Sequence, residues 1–212
     1  MPGDTVRIRW APAPAVGAAR RGAMAQGARP QPDVEPRERL RRIIAERCFT
    51  KGKPFQLASG RWSDFYFNLK PAMLDPEGSN LLADLILERT AGIDARYIGG
   101  LVMGAVPIAV AVTLKSYGTS RPLQSFWVRK EPKGHGTKSL ADGYLVEGSR
   151  VIIVEDVTTT GGSMMKAIEE VKRHDCQIAA VITIVDRLEG ARENLAAAGI
   201  ELMALFTAKD FT

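Results

Sequence analysis

The stretch VIIVEDVTTTGGS, residues Val151 to Ser163, decides the fold class of this chain. Four apolar residues run into two adjacent carboxylates, Glu155 and Asp156, and then into three threonines and two glycines. A continuous β-branched run is typical of a strand that is buried on both faces. A like-charge pair at the end of such a strand does nothing for the fold, so it indicates a ligand.

Similar apolar runs recur along the chain and alternate with segments of helical periodicity. The expected strands are ARYIGGLV (95–102), LQSFWV (123–128), RVIIVE (150–155), IAAVITIVD (178–186) and IELMALFT (200–207). The expected helices are AVPIAVAVTLKSYG (105–118), SMMKAIEEVKRH (163–174) and EGARENLAAAG (189–199). This alternation predicts an α/β fold, a mainly parallel sheet with helices on both faces.

A small helix and hairpin are expected ahead of this sheet. In EPRERLRRIIAERCF (35–49), Leu40, Ile43, Ile44 and Phe49 fall near a helical period. FQLASG (55–60) and DFYFNLK (64–70) are expected to be strands around a Ser-Gly turn. Asp75-Pro76 is expected to begin a helix that continues through EGSNLLADLILERT (77–90).

The domain organisation follows from length and composition. A chain of 212 residues with 45% hydrophobic and 25% charged residues suits one well-packed domain, expected over residues 35–212. Residues 1–34 are rich in Ala, Pro, Gly and Arg and are expected to be a disordered basic tail, with Met24 as plausible a start as Met1. No apolar run is long enough for a membrane span. The two cysteines, Cys48 and Cys176, lack metal-ligand spacing and indicate a reduced, cytoplasmic protein.

The net charge of +5 does not indicate a nucleic-acid partner. Residues 1–30 hold five arginines and one acid, whereas residues 31–212 hold 24 basic and 23 acidic residues. The positive charge therefore belongs to the tail, and the folded part lacks the basic balance that nucleic-acid binding needs.

The residues after the apolar run are suited to a phosphorylated sugar. In a parallel sheet, ligands bind at the carboxyl ends of the strands. The small and hydroxyl-bearing residues from Val157 to Ser163 would let backbone N–H groups and a helix N-terminus surround a phosphate. Glu155 and Asp156 cannot contact that phosphate favourably, so sugar hydroxyls or a divalent metal shared with a diphosphate are their expected partners. The glycine patterns of dinucleotide and nucleotide loops are missing.

This combination resembles the signature of type I phosphoribosyltransferases, which bind phosphoribosyl diphosphate. The resemblance implies that the loop holds the 5′-phosphate and that the acid pair faces the ribose hydroxyls. It assigns phosphoribosyl diphosphate to Glu155, Asp156, Val157, Thr158, Thr159, Thr160, Gly161, Gly162 and Ser163, and to Met103 and Gly104 in the diphosphate loop GGLVMGAVP (99–107).

Two further segments resemble orotate phosphoribosyltransferases. RKEPKGHG (129–136) holds Arg129, Lys130, Lys133 and His135, with the spacing of that family's catalytic loop. Four potential cations on one loop suit a departing diphosphate. LASGRWSDFYFN (57–68) is similar to the family's base-binding hairpin.

The resemblance implies transfer of the phosphoribosyl group to orotate, giving orotidine 5′-phosphate and diphosphate in pyrimidine synthesis. Tyr66 and Phe67 would flank the orotate ring, partly through their backbone, Thr159 would reach the ring, and Arg187 would pair with its carboxylate. Mg²⁺ would arrive on the diphosphate rather than on a direct protein ligand. The family also implies a homodimer with shared active sites. His135 would assist proton or charge transfer.

The chain departs from one branch of the family at two positions. Ala58 and Gly104 stand where that branch has lysines that face the substrates. Two alternatives stay open at this point. A phosphoribosyltransferase for a purine or for uracil would not need Arg187 or the cationic loop, and a nucleic-acid-binding regulator would need a basic face on the folded part. His174, at the end of a helix, is expected to be a surface residue.

Overall fold

A six-stranded sheet forms the centre of the molecule. The computed structural model describes residues 34–56, 62–131 and 139–212. The sheet has the order β5-β4-β3-β6-β7-β8, and all neighbouring strands are parallel except β4 and β5. Its strands are β3 (Tyr97–Leu101), β4 (Gln124–Val128), β5 (Ala141–Gly143), β6 (Arg150–Thr158), β7 (Gln177–Asp186) and β8 (Leu202–Thr207). The expectation of a mainly parallel α/β sheet is confirmed.

Helices cover both faces of this sheet because alternate side chains of each strand point to opposite faces. On β6, Val151 and Ile153 pack into the core beneath α5 (Gly162–Lys172) and α6 (Ala191–Ala197). Ile152 and Val154 pack into the opposite core, beneath α3 (Pro76–Arg89) and α4 (Ala105–Ser116). All four side chains are buried, which explains why β6 reads as a continuous apolar run.

The N-terminal elements lie on the α3 and α4 side. They are α1 (Pro36–Arg47), β1 (Phe49–Gln56), β2 (Trp62–Phe67) and the single turn α2 (Lys70–Met73). Strands β1 and β2 form a separate antiparallel hairpin. The hairpin and the last turn of the chain share an aromatic cluster made of Phe49, Phe65, Phe67, Phe206 and Phe211.

Several expected boundaries need correction. Phe49 begins β1 instead of ending α1, because the chain leaves the helix at Cys48, and β1 therefore starts six residues before the expected position 55. Strand β6 continues past Glu155 to Thr158, so the acid pair lies inside the strand. The short strand β5 was not among the expected strands.

The helix expected after Asp75 is confirmed and has a clear local cause. The Asp75 carboxylate accepts a hydrogen bond from the Gly78 N–H at 2.9 Å, and Pro76 occupies the first helical position. None of the helices among residues 34–56, 62–131 and 139–212 combines the length and apolar character needed to cross a membrane. Residues 35–212 form one compact unit, and the expected tail lies almost wholly outside the described residues.

Candidate active site

The predicted site residues converge because parallel strands end at the same edge of a sheet. Strand β3 leads into Met103 and Gly104, β4 into Arg129, β6 into the threonine–glycine loop and β7 into Arg187. Four segments that are far apart in sequence thus meet at the carboxyl edge.

The acid pair at this edge is electrostatically unusual. Glu155 is 8% exposed, and its Oε2 is buried without a hydrogen-bond partner among the described residues. Burial raises the pKa of Glu155 well above its ordinary value, and the neighbouring Asp156, which also hydrogen-bonds to it, raises it further; the charge of Lys130 opposes this. An unpartnered buried oxygen is costly unless a ligand supplies the donor.

Gly104 brings the diphosphate loop against this pair. A β-carbon at position 104 would overlap Asp156 Oδ1 and would lie 2.9 Å from Glu155 Oε1. Both carboxyl groups therefore pack directly against one glycine at the start of α4. No side chain could fit at this position without displacing them. Met103, beside it, is exposed.

The predicted phosphate loop is a short turn between β6 and α5. Gly161 precedes the helix with φ of 82°, a left-handed conformation that favours glycine. Two hydrogen bonds fix the backbone of the loop. Asn194 Nδ2 donates to the Thr160 carbonyl at 2.9 Å, and the Arg187 N–H donates to the Thr158 carbonyl at 3.0 Å. The exposed N-terminus of α5 presents backbone N–H groups and a partial positive charge to the solvent.

The remaining loop residues line this turn. Thr158 is buried, Val157, Thr159 and Thr160 are partly exposed, and Gly162 and Ser163 are exposed.

Arg187 is held in a fixed orientation. Its side chain is 2% exposed, its Nε donates to Glu189 at 2.7 Å, and its Nη2 donates to Ser63 Oγ at 2.8 Å and to the Phe65 carbonyl. The guanidinium also stacks on the Phe65 ring, 4.5 Å from its centroid. An arginine has five N–H donors, so the two on Nη1 are left without a partner among the described residues.

The aromatic residues of β2 point to two sides. Tyr66 is 45% exposed, whereas the Phe67 ring is buried in the aromatic cluster, 5.0 Å from Phe49. Only the Phe67 backbone can therefore face a ligand. Ser63 and Phe65, which face Arg187, were not identified from the sequence. Because side chains alternate between the two faces of a strand, the position of Tyr66 could have indicated that both lie on the opposite face.

The cationic segment is only partly described. Arg129 forms an ion pair with Asp142 of β5, so its charge is already matched within the protein. Lys130 is exposed and close enough to stabilise the ionised form of Glu155. Lys133 and His135 lie outside the described residues, as does Ala58.

The carboxylates of the site are also possible ligands for a magnesium ion. In the described part of the chain, no three His, Cys, Asp or Glu side chains are grouped to hold a metal. Mg²⁺ commonly uses one or two carboxylates together with substrate phosphates. Glu155 and Asp156 could supply carboxylates of this kind to an ion that is shared with a diphosphate.

Comparison with known proteins agrees with this geometry. Residues 79–199 match the model of the phosphoribosyl transferase domain family. The chain is 51% identical over 179 residues to the orotate phosphoribosyltransferase of Rhodopseudomonas palustris, covering 82% of this chain and 95% of that protein. Among solved structures, that of Mycobacterium tuberculosis orotate phosphoribosyltransferase is 34% identical with a TM-score of 0.73, covering 84% of this chain and 99% of that one. The same enzyme in complex with 5-phospho-α-D-ribosyl 1-diphosphate gives a TM-score of 0.70 at 32% identity, with the same coverage.

Proposed function

The chain belongs to the orotate phosphoribosyltransferase family, and from that membership we propose that it transfers the phosphoribosyl group of phosphoribosyl diphosphate to orotate. The products are orotidine 5′-phosphate and diphosphate, a step toward UMP. The enzyme is then a pentosyltransferase. Little covalent chemistry is asked of its side chains, because positioning and charge stabilisation dominate such a displacement.

One observation carries the proposal: the acid pair lies near the end of β6, and the predicted phosphate loop follows it directly into α5 at the carboxyl edge of the sheet. The buried, unpartnered Glu155 Oε2 and the neighbouring Asp156 offer acceptors for two ribose hydroxyls. The turn from Thr158 to Ser163 offers backbone N–H groups for the 5′-phosphate. Together they would orient C1′ toward the base.

The orotate end of the site is assigned to Arg187 and β2. The orotate carboxylate would accept from the two N–H groups of Nη1, while Glu189 and Ser63 hold the guanidinium still. Tyr66 and the backbone of Phe67 would flank the ring, and Thr159 would reach it from the loop. A purine or uracil has no carboxylate that could accept hydrogen bonds from such an arginine.

The leaving group is assigned to the cationic segment and the diphosphate loop. As C1′ gains oxocarbenium character, negative charge builds up on the diphosphate, and Lys130, Lys133 and His135 would stabilise it. The Gly104 backbone at the start of α4 would add N–H donors, in place of the lysine found in one branch of the family. Mg²⁺, when bound to the diphosphate, supplies further charge neutralisation.

A homodimer is also proposed, supported by the exposed apolar face of α4. Leu114 is 73% exposed and Val110 43%, and Leu74 nearby is 70% exposed. These residues border an apolar groove of about 420 Å³. Because Gly104 directly precedes α4, a second copy seated on this face would lie on the helix that leads out of the site, as shared sites require.

The proposed location is the cytoplasm. Both cysteines, Cys48 and Cys176, are buried and free, and neither forms a disulfide. Unpaired thiols suit a reducing compartment.

The direct test is orotate consumption, followed by absorbance, with and without phosphoribosyl diphosphate and Mg²⁺. Orotate should be consumed only when both are present, and uracil, hypoxanthine and adenine should not replace it. Conversion of another base in preference to orotate would overturn the substrate assignment. Shared sites are tested by mixing Lys133→Ala with Asp156→Ala protein: recovered activity supports them, and no recovery contradicts them.

A further inference from the structure

Glu170 is a buried charge that the proposed reaction does not use. It lies in the third turn of α5 and is 3% exposed. Its Oε1 accepts from the Leu140 N–H at 2.8 Å, and its Oε2 accepts from Arg173 Nη1 at 2.6 Å. Burial raises the pKa of Glu170, but the hydrogen bonds from Leu140 and Arg173 outweigh it, so the net shift is downward and the group is ionised at neutral pH.

His174, in the turn just after α5, contacts the residue before Leu140. Its Nε2 lies 3.1 Å from Ser139 Oγ and 3.5 Å from Glu170 Oε1. Both neighbours meet the same ring nitrogen, so this is not a nucleophile triad, in which the acid would bind the other nitrogen. The Ser139 hydroxyl also accepts from the Ala141 N–H at 3.1 Å. The histidine therefore braces a turn rather than activating a hydroxyl.

Leu140 is held from two directions. Glu170 binds its N–H, while its carbonyl accepts from the Arg129 N–H at 2.9 Å. Arg129 is itself tied to Asp142 on β5. The two ends of the segment 130–139 are thus fixed together at the carboxyl edge of β4, and Ser139 directly follows residues 132–138.

Helix α5 connects this anchor to the phosphate loop. The helix begins at Gly162, beside the loop, and Glu170 lies eight residues further on, roughly 12 Å along its axis. A helix of this length is rigid, so the loop at one end and the anchored residues at the other keep a constant separation. Shifting Leu140 would move Arg129, whose N–H donates to the Leu140 carbonyl, and with it Lys130, the next residue along the chain.

We propose that Glu170 and His174 are positioning residues for the transfer reaction: by fixing Leu140 and Ser139, they hold Arg129 and so set the placement of Lys130, one of the cations assigned to the diphosphate. This inference rests on the proposed function. Neither residue touches substrate. Their effect should therefore appear in turnover, whereas orotate binding at Arg187 should be unaffected.

The test uses the full chain and steady-state kinetics. His174→Ala and Ser139→Ala should each lower kcat by about tenfold or more, because a displacement near 1 Å can cost this much or more. The KM for orotate should stay within about twofold. The double variant should lose less than the two single losses combined, because both variants remove the contact between Ser139 and His174. His174→Gln, which keeps a hydrogen-bonding amide near the Nε2 position, should recover most of the lost kcat.

Glu170→Gln and Glu170→Ala separate positioning from folding. Gln keeps an acceptor for Leu140 and should retain more activity than Ala. Thermal unfolding is measured for each variant, and Glu169→Ala, an exposed neighbour on α5, is the matched control and should behave as wild type. Should Glu170→Ala not fold, the Ser139 and His174 variants decide the question, because they leave the buried charge intact.

Three results would overturn the inference: folded Ser139 and His174 variants with wild-type kcat, additive losses in the double variant, or an equal rise in the KM for orotate. A wild-type protein with no orotate transfer would instead overturn the proposed function, and this inference with it.

Discussion

Replacing Gly104 by alanine should disable the acid pair while leaving the fold intact. The Gly104 backbone is right-handed helical, with φ of −56° and ψ of −42°, so alanine meets no backbone strain. Its methyl group, however, would overlap Asp156 Oδ1 and would lie 2.8 Å from Asp156 Cγ and 2.9 Å from Glu155 Oε1. Ordinary contacts between carbon atoms are about 3.5–4.0 Å, so the carboxylates must retreat by about 1 Å.

A retreat of this size removes the alignment with the ribose hydroxyls. A misplacement of about 1 Å can cost about 100-fold, which corresponds to about 2.7 kcal/mol of activation free energy. The displaced atoms are the ends of two side chains, so the free energy of unfolding should change by less than about 1 kcal/mol. We therefore expect kcat/KM for phosphoribosyl diphosphate to fall about 100-fold at nearly constant Tm.

Gly92→Ala is the matched control. Gly92 has no atom within 4 Å of its would-be β-carbon and no left-handed φ, so its kcat/KM should equal that of wild type. The two variants and wild type are compared by orotate absorbance and by thermal unfolding. If Gly104→Ala kept kcat/KM within about threefold of wild type, the close packing of the acid pair on the diphosphate loop would have no functional meaning.

Four further predictions follow from the site. Glu155→Gln should abolish transfer yet raise the free energy of unfolding at pH 7 by about 1–3 kcal/mol, because it removes a buried charge. The pKa of Glu155 is raised in the folded state, so burial of this side chain destabilises the wild type least below pH 4.5. The stability difference between variant and wild type should therefore shrink as the pH falls toward 4.5. Arg187→Ala should raise the KM for orotate by about 10- to 100-fold, the cost of a charge-assisted hydrogen-bond pair, at an unchanged KM for phosphoribosyl diphosphate. Lys133→Ala and His135→Ala should each lower kcat, by raising the activation free energy by up to about 3 kcal/mol, with an unchanged Tm. If the proposed homodimer forms through α4, Leu114→Asp should give a monomer in sedimentation velocity, because the substitution puts two charges into an apolar interface.

Each of these has a clear opposite result. A less stable Glu155→Gln variant at pH 7 would contradict the burial argument, and an unchanged KM for orotate would remove Arg187 from the base site. Wild-type turnover in both loop variants would remove the cationic segment from the reaction. A Leu114→Asp protein that sediments like wild type would place any interface elsewhere.

The sheet and its ligand edge could be predicted from the sequence because their signals are local. The β-branched run before Glu155 is long enough to require burial on both faces, and a carboxylate pair at its end has no use in a core. The small residues after Asp156 likewise indicated a loop that leads into a helix, and Gly161 of this loop has a left-handed φ of 82°. In such cases, neighbouring residues alone determine the interpretation.

Other features depend on contacts that sequence spacing does not reveal. Glu170 follows Glu169 and reads as part of a solvated helix face, yet it is buried because Leu140, thirty residues away, needs an acceptor. The expectation that His174 is a surface residue was incomplete for the same reason, since its ring contacts Ser139. Phe67 was expected to flank the orotate ring, partly through its backbone. Its own ring packs in the aromatic cluster of the hairpin, so only its backbone is left for that role.

The central claim is that the acid pair and the threonine–glycine turn hold opposite sides of one phosphoribosyl diphosphate. Isothermal titration calorimetry with this compound and Mg²⁺ tests it directly. The wild type should bind one molecule per chain, and both Asp156→Ala at one end and Gly161→Ala at the other should weaken binding at least tenfold. Absence of binding heat in the wild type, or wild-type affinity in both variants, would contradict the account.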